Sequence, residues 1–103
     1  MNETHFPFFK YFLEGYFHAG EDYEDLGEIC QRYALYENQQ YRKGLLGEAT
    51  TLLKSKQWGE IGTFIKKYGE RNMSPERIES LLRTLIKHIE AEIRKYEDVF
   101  GPD

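Results

Sequence analysis

An all-α domain, a single bundle of about five helices, is the fold class this sequence predicts, on three observations. Apolar residues recur at i, i+3, i+4 and i+7 in five separate stretches, the pattern of helices that bury one face. No run alternates with the two-residue period of a strand, and neither an Asn-Gly nor an Asp-Gly hairpin signal occurs. At 103 residues the chain has room for one core, which buries roughly 60 to 70% of the surface its unfolded form exposes, and for no second domain. A content of 16% aromatic residues supplies the apolar area such a core requires.

The first helix is the greasiest stretch of the chain. Phe6, Phe8, Phe9, Tyr11, Phe12, Tyr16 and Phe17 fall within twelve residues, and Phe9, Phe12, Leu13 and Tyr16 form its stripe, with Lys10 and Glu14 on the other side. Pro7 suits the first helical position, where a missing amide hydrogen is harmless, and Gly20 is expected as a left-handed C-terminal cap. Beyond Gly20 the character changes: Glu21, Asp22, Glu24, Asp25 and Glu28 crowd around Tyr23.

A second helix is expected from about Glu24 to Tyr36, capped by Asp22, with Leu26, Ile29, Cys30, Tyr33 and Ala34 inward. Asn38 caps a third, whose apolar face is Tyr41, Leu45, Ala49, Leu52 and Leu53, with Arg42, Lys43 and Glu48 outward. Gly44 and Gly47 weaken that helix and make sense where another helix approaches closely. Ser55-Lys56-Gln57 is a break. Trp58, Ile61, Phe64, Ile65 and Tyr68 then define a short fourth helix with Gly69 beyond its end. Ser74-Pro75-Glu76 is the sharpest boundary: a capping serine, a proline at the first helical position and an acid in the first turn. In the long fifth helix that follows, Ile78, Leu81, Leu82, Leu85, Ile86, Ile89, Ile93 and Tyr96 fall within an arc of about 140° at 100° per residue.

Net charge is −4, and it is uneven: residues 1–51 hold four basic and nine acidic side chains, residues 52–103 ten and nine. The acidic half argues for a basic protein partner. Direct nucleic-acid binding needs clustered lysine and arginine, which this chain lacks. Met1-Asn2-Glu3 opens acidic, and Lys10 and Glu14 interrupt the apolar run after it, so neither a signal peptide nor a membrane-spanning helix is expected. The lone Cys30 cannot form an internal disulfide and reads as a small buried hydrophobe, which suits the cytoplasm.

Chemistry finds little foothold. His18 and Asp22 are four residues apart, but Gly20 intervenes and no third ligand has a motif spacing, so no metal is expected. No base is placed to activate Cys30. The glycines form no phosphate-binding loop, and Glu24 with Glu28 reads as a solvated helix face before an acid–base pair. No catalytic residue and no cofactor is assigned. Acids in the first turn of a helix offset its dipole, which accounts for Asp22, Glu24 and Asp25; Glu21 and Glu28 add a repulsion that a cationic surface would relieve.

The run from Phe6-Pro7 to Tyr16-Phe17-His18, followed at once by acidic residues and a tyrosine, resembles the opening of the immunity proteins of bacterial contact-dependent growth inhibition systems. The resemblance implies a small cytoplasmic protein that protects its cell by binding, without catalysis, the toxin domain that sibling cells deliver. The expected partner is a cognate toxin domain held one to one, with the free protein a monomer. Many such toxins are nucleases, whose cationic clefts hold phosphates, so Glu21, Asp22, Glu24, Asp25 and Glu28 are the candidate binding residues and Tyr23 the candidate buried anchor. The rival expectation is a helical adaptor or assembly protein that binds its partner through the fifth helix.

Overall fold

The computed structural model describes residues 5–102; Met1, Asn2 and Glu3, with the expectation attached to them, lie outside that range. The helix α1 spans Pro7–Gly15, α2 Leu26–Tyr36, α3 Gln39–Ser55, α4 Trp58–Gly69 and α5 Pro75–Phe100, and a 3₁₀ turn at Tyr23–Asp25 leads into α2. Among the described residues there is no strand, so the all-α bundle of five helices is the observed architecture.

The scaffold is α5. Its 26 residues, at about 1.5 Å rise each, run the 39 Å length of the molecule, and α2, α3 and α4 all pack on it while α1 bridges α3 and α4. The Ser74 hydroxyl accepts from the Arg77 amide at 3.3 Å, the start the Ser-Pro-Glu boundary predicts. Ile78, Leu81, Leu82, Leu85, Ile89 and Ile93 are buried. The stripe that an adaptor would offer a partner is therefore spent on the protein's own core.

The first helix buries Phe9, Phe12 and Leu13, and Phe17 just beyond it is also fully buried. Each contributes about 1.5–3 kcal/mol of transfer free energy. Its end differs from expectation. The helix stops at Gly15, not Gly20: the amides of Tyr16 and Phe17 both donate to the Phe12 carbonyl, at 2.8 and 3.1 Å, and this wide turn swings Phe17 into the core. Neither Gly15 nor Gly20 takes a left-handed conformation; among described glycines only Gly101 has a positive φ.

The start of α1 depends on a distant residue. Phe6, at the cap position, is left-handed (φ 53°) and offers no side-chain acceptor. Instead Glu48 of α3 accepts from the amides of Phe9 and Phe8 at 2.8 and 3.2 Å. A carboxylate at a helix N-terminus satisfies orphan donors and faces the positive end of the dipole. Glu48 is thus half-buried and turned toward α1, not outward as its place in the α3 pattern suggests. Arg42 also departs from the outward reading: its Nε donates to the Ala34 carbonyl at 2.6 Å, serving the otherwise open C-terminal end of α2.

Other local signals act as the sequence indicates. Asp22 Oδ1 accepts from the Glu24 amide at 3.0 Å and Asn38 Oδ1 from the Tyr41 amide at 2.9 Å. The single helix expected from Glu24 resolves into the 3₁₀ turn and α2. Gly44 is where α1 and α3 meet closely, since a Cβ there would stand 2.4 Å from the Phe8 ring, whereas at Gly47 it would meet nothing. Gly69 lies inside α4 and its left-handed cap is Glu70; a Cβ at Gly69 would rest 3.4 Å from Leu13.

Candidate functional site

The acidic turn occupies the entry to α2. Glu21, Asp22, Glu24, Asp25 and Glu28 are exposed; Leu26 points inward beneath them, and Tyr23 is half-buried against the core. Alternation of acids with these two inward residues follows from the geometry. The 3₁₀ turn and the first turn of α2 roll one face onto α5 and leave every carboxylate on the other.

Two arginines that no local pattern nominates hold this turn. Arg71, between α4 and α5, donates through one Nη to the His18 carbonyl at 2.8 Å and to the Glu21 carbonyl, while its guanidinium lies 3.8 Å from the centre of the Phe17 ring. Burial lowers the pKa of this guanidinium, and the charges of Glu21 and Asp22 oppose the shift. Arg77, in the first turn of α5, places its guanidinium 4.2 Å from the centre of the Tyr23 ring. Cation–π contacts of this kind contribute about 0.5–2 kcal/mol. The loop is pinned at both ends, and Tyr23 serves partly as its strut.

The carboxylates are unevenly compensated, and the charge of Arg71 reaches Glu21 and Asp22. Glu28 has Arg32 at 3.6 Å, one helical turn on. Glu24 and Asp25 make no ion pair within 4 Å among the described residues.

The candidate metal ligands do not converge. His18 turns to Glu70, Nε2 to Oε2 at 2.6 Å, while Asp22 is engaged in capping, and no cluster of three or more potential ligands occurs among the described residues. Cys30 is fully buried and burial pushes its thiol pKa up, the setting of an inert core thiol. A cleft of about 110 Å³ is lined by Phe6, Phe9, Leu52, Ile61 and Phe64 together with Thr51, Ser55 and Gln57, and Glu60 is its one ionisable residue. No described helix is long and apolar enough to cross a membrane.

At the other end of α2 the side chains of Tyr11 and Tyr16 converge on one carboxylate. Both hydroxyls donate to Glu37 Oε2, at 2.8 and 2.5 Å, and the rings pack edge to face with Tyr33. The hydrogen bond to Glu37 raises the Tyr11 pKa, and burial with the same carboxylate raises that of Tyr16. Sequence periodicity did not single out Glu37. Its tyrosine partners lie more than twenty residues away, so no spacing rule reaches them.

No curated protein and no solved structure matches this chain. A model of the CdiI immunity protein family matches residues 5–93, which span α1 through most of α5 and include the whole acidic turn. Immunity proteins of this kind neutralise the toxins of contact-dependent growth inhibition, and with that match over most of its length the chain belongs to the CdiI immunity protein family.

Proposed function

We propose that the protein neutralises its cognate toxin in the cytoplasm by laying the acidic turn (Glu21, Asp22, Tyr23, Glu24, Asp25 and Glu28) against a cationic cleft, in a one-to-one complex, and that the toxin is a nuclease. The carboxylates stand in for the phosphates that such a cleft binds. Inhibition is by occlusion, with no bond made or broken. The observation that carries this reading is the set of exposed, densely placed carboxylates on a turn that two arginines hold rigid, with Glu24 and Asp25 lacking any ion pair among the described residues.

Dipole compensation alone is a weaker account. Acids near a helix start stabilise it by about 0.3–1 kcal/mol each, but like charges packed this closely repel one another, and a cationic partner removes that repulsion. A basic cleft and an acidic turn also attract at long range, which raises the rate of encounter.

The test is protection in cells. Wild type, and a variant with Asp22→Asn, Glu24→Gln and Asp25→Asn, are co-expressed with the cognate toxin domain. The proposal expects survival with wild type and weaker protection with the variant at equal protein levels. Equal protection across a range of expression levels would remove the acidic turn from the interface.

A further inference from the structure

We infer, building on the proposed contact of the acidic turn with a basic toxin, that the outer face of α2 continues that interface and that Leu35 and Tyr36 form its apolar centre. The large apolar side chains that stand exposed among the described residues are Tyr11 (41%), Leu35 (48%), Tyr36 (75%), Val99 (73%) and Phe100 (72%). Scattered singly, such residues mean little. Two of them, Leu35 and Tyr36, are consecutive at the C-terminal end of α2, whereas Tyr11 packs on the Tyr33 ring and is bonded to Glu37.

Helix geometry joins this patch to the acidic turn. Glu28, Arg32 and Leu35 are spaced i, i+4, i+7, which puts them on one face, and Tyr36 flanks it. Eight residues at about 1.5 Å rise separate Glu28 from Tyr36 by only about 12 Å, well inside a standard interface of about 800 Å² per partner. The strip has the anatomy of such an interface: apolar side chains at one point and charged residues around them.

The patch is also held still. Arg42 ties the Ala34 and Leu35 carbonyls, at 2.6 and 3.4 Å, and the paired tyrosine hydroxyls fix Glu37. An anchor on a braced helix end loses little entropy on docking. Tyr23 is less suited to that task, being half-buried with Arg77 over its ring. Val99 and Phe100 share no element with the acidic turn, and the Phe100 ring packs at a tilt against Tyr96 of its own helix, 4.7 Å between centres.

Charge identifies the occupant. Glu24, Asp25, Glu28 and Glu37 border the strip; Arg32 lies on it, and Arg42, bonded to the Leu35 carbonyl, stands at its end. A second copy of this acidic strip would be repelled. A toxin surface with an apolar pocket flanked by lysines or arginines fits it, and that is the same basic partner the acidic turn selects.

Association and dissociation rates measured against the cognate toxin domain test this. Tyr36→Ala is expected to raise the dissociation rate about 30-fold or more, as loss of an interface anchor does, while the association rate and melting temperature stay at wild-type values. Leu35→Ala gives a smaller rise in the same direction. Wild-type dissociation in both variants overturns the apolar centre, and if Glu24→Gln with Asp25→Asn still slows association, the acidic turn keeps its role. A larger rise from Val99→Ala with Phe100→Ala, or self-association of the free protein that Tyr36→Ala abolishes, also overturns it.

Discussion

Glu48 shows how one residue sets the position of a whole element. Its carboxylate is partly buried and takes two backbone donors from a helix about forty residues earlier. Glu48→Ala leaves those amides without an acceptor and is expected to cost about 1–2 kcal/mol of stability, whereas Glu48→Gln, whose amide oxygen still accepts, costs less. Burial raises the Glu48 pKa and the amides of Phe9 and Phe8 pull it back only in part. The folded state therefore holds this proton to higher pH than the unfolded chain. The contribution of that difference is fully present below the unfolded carboxyl pKa and is lost as pH rises through the folded one. Urea denaturation should show wild type gaining on Glu48→Gln as pH falls from about 7 to about 4.5, and a constant difference would contradict the assignment.

Among elements, the turn between α1 and α2 carries the proposed toxin contact, and Arg71 is its fastener. Arg71→Ala removes two carbonyl contacts and the cover over Phe17, so amide hydrogen exchange should speed up across residues 18–25 while α3 and α5 keep their protection. Equal acceleration everywhere would mean that Arg71 supports global stability and not the turn. This fastening explains what the sequence made visible and what it hid. Asp22, Asn38 and Ser74 were legible as caps because each acts on an amide two or three residues away. The stripe of α5 was legible because 3.6-residue periodicity is local. The end of α1 was not, since Gly20 resembles a cap while burial of Phe17 decides where the helix stops. Glu48 and Arg42 looked like solvated charges, and nothing local singled out Arg71, because their partners come from other parts of the chain. Of the candidate site, the carboxylates could be read directly; the two arginines that shape it could not.

On the scale of the whole molecule, acidity is concentrated in one place. The acidic half of the chain carries the exposed turn, and the half with balanced charge supplies α5, against which that turn is set. On the proposed reading, such an arrangement separates two tasks: carboxylates draw a basic toxin in, and side chains further along α2 retain it. The central claim is that the acidic turn meets the toxin. It is tested most directly by stopped-flow association of the toxin domain with wild type and with the Asp22→Asn, Glu24→Gln, Asp25→Asn variant, as salt rises from about 0.01 to about 0.15 M and the screening length falls from about 30 to about 8 Å. Wild-type association should approach about 10⁸ M⁻¹s⁻¹ or more at low salt and fall steeply, while the variant is slower and nearly insensitive to salt. Identical rates and salt dependence in the two proteins would place the toxin elsewhere on the surface.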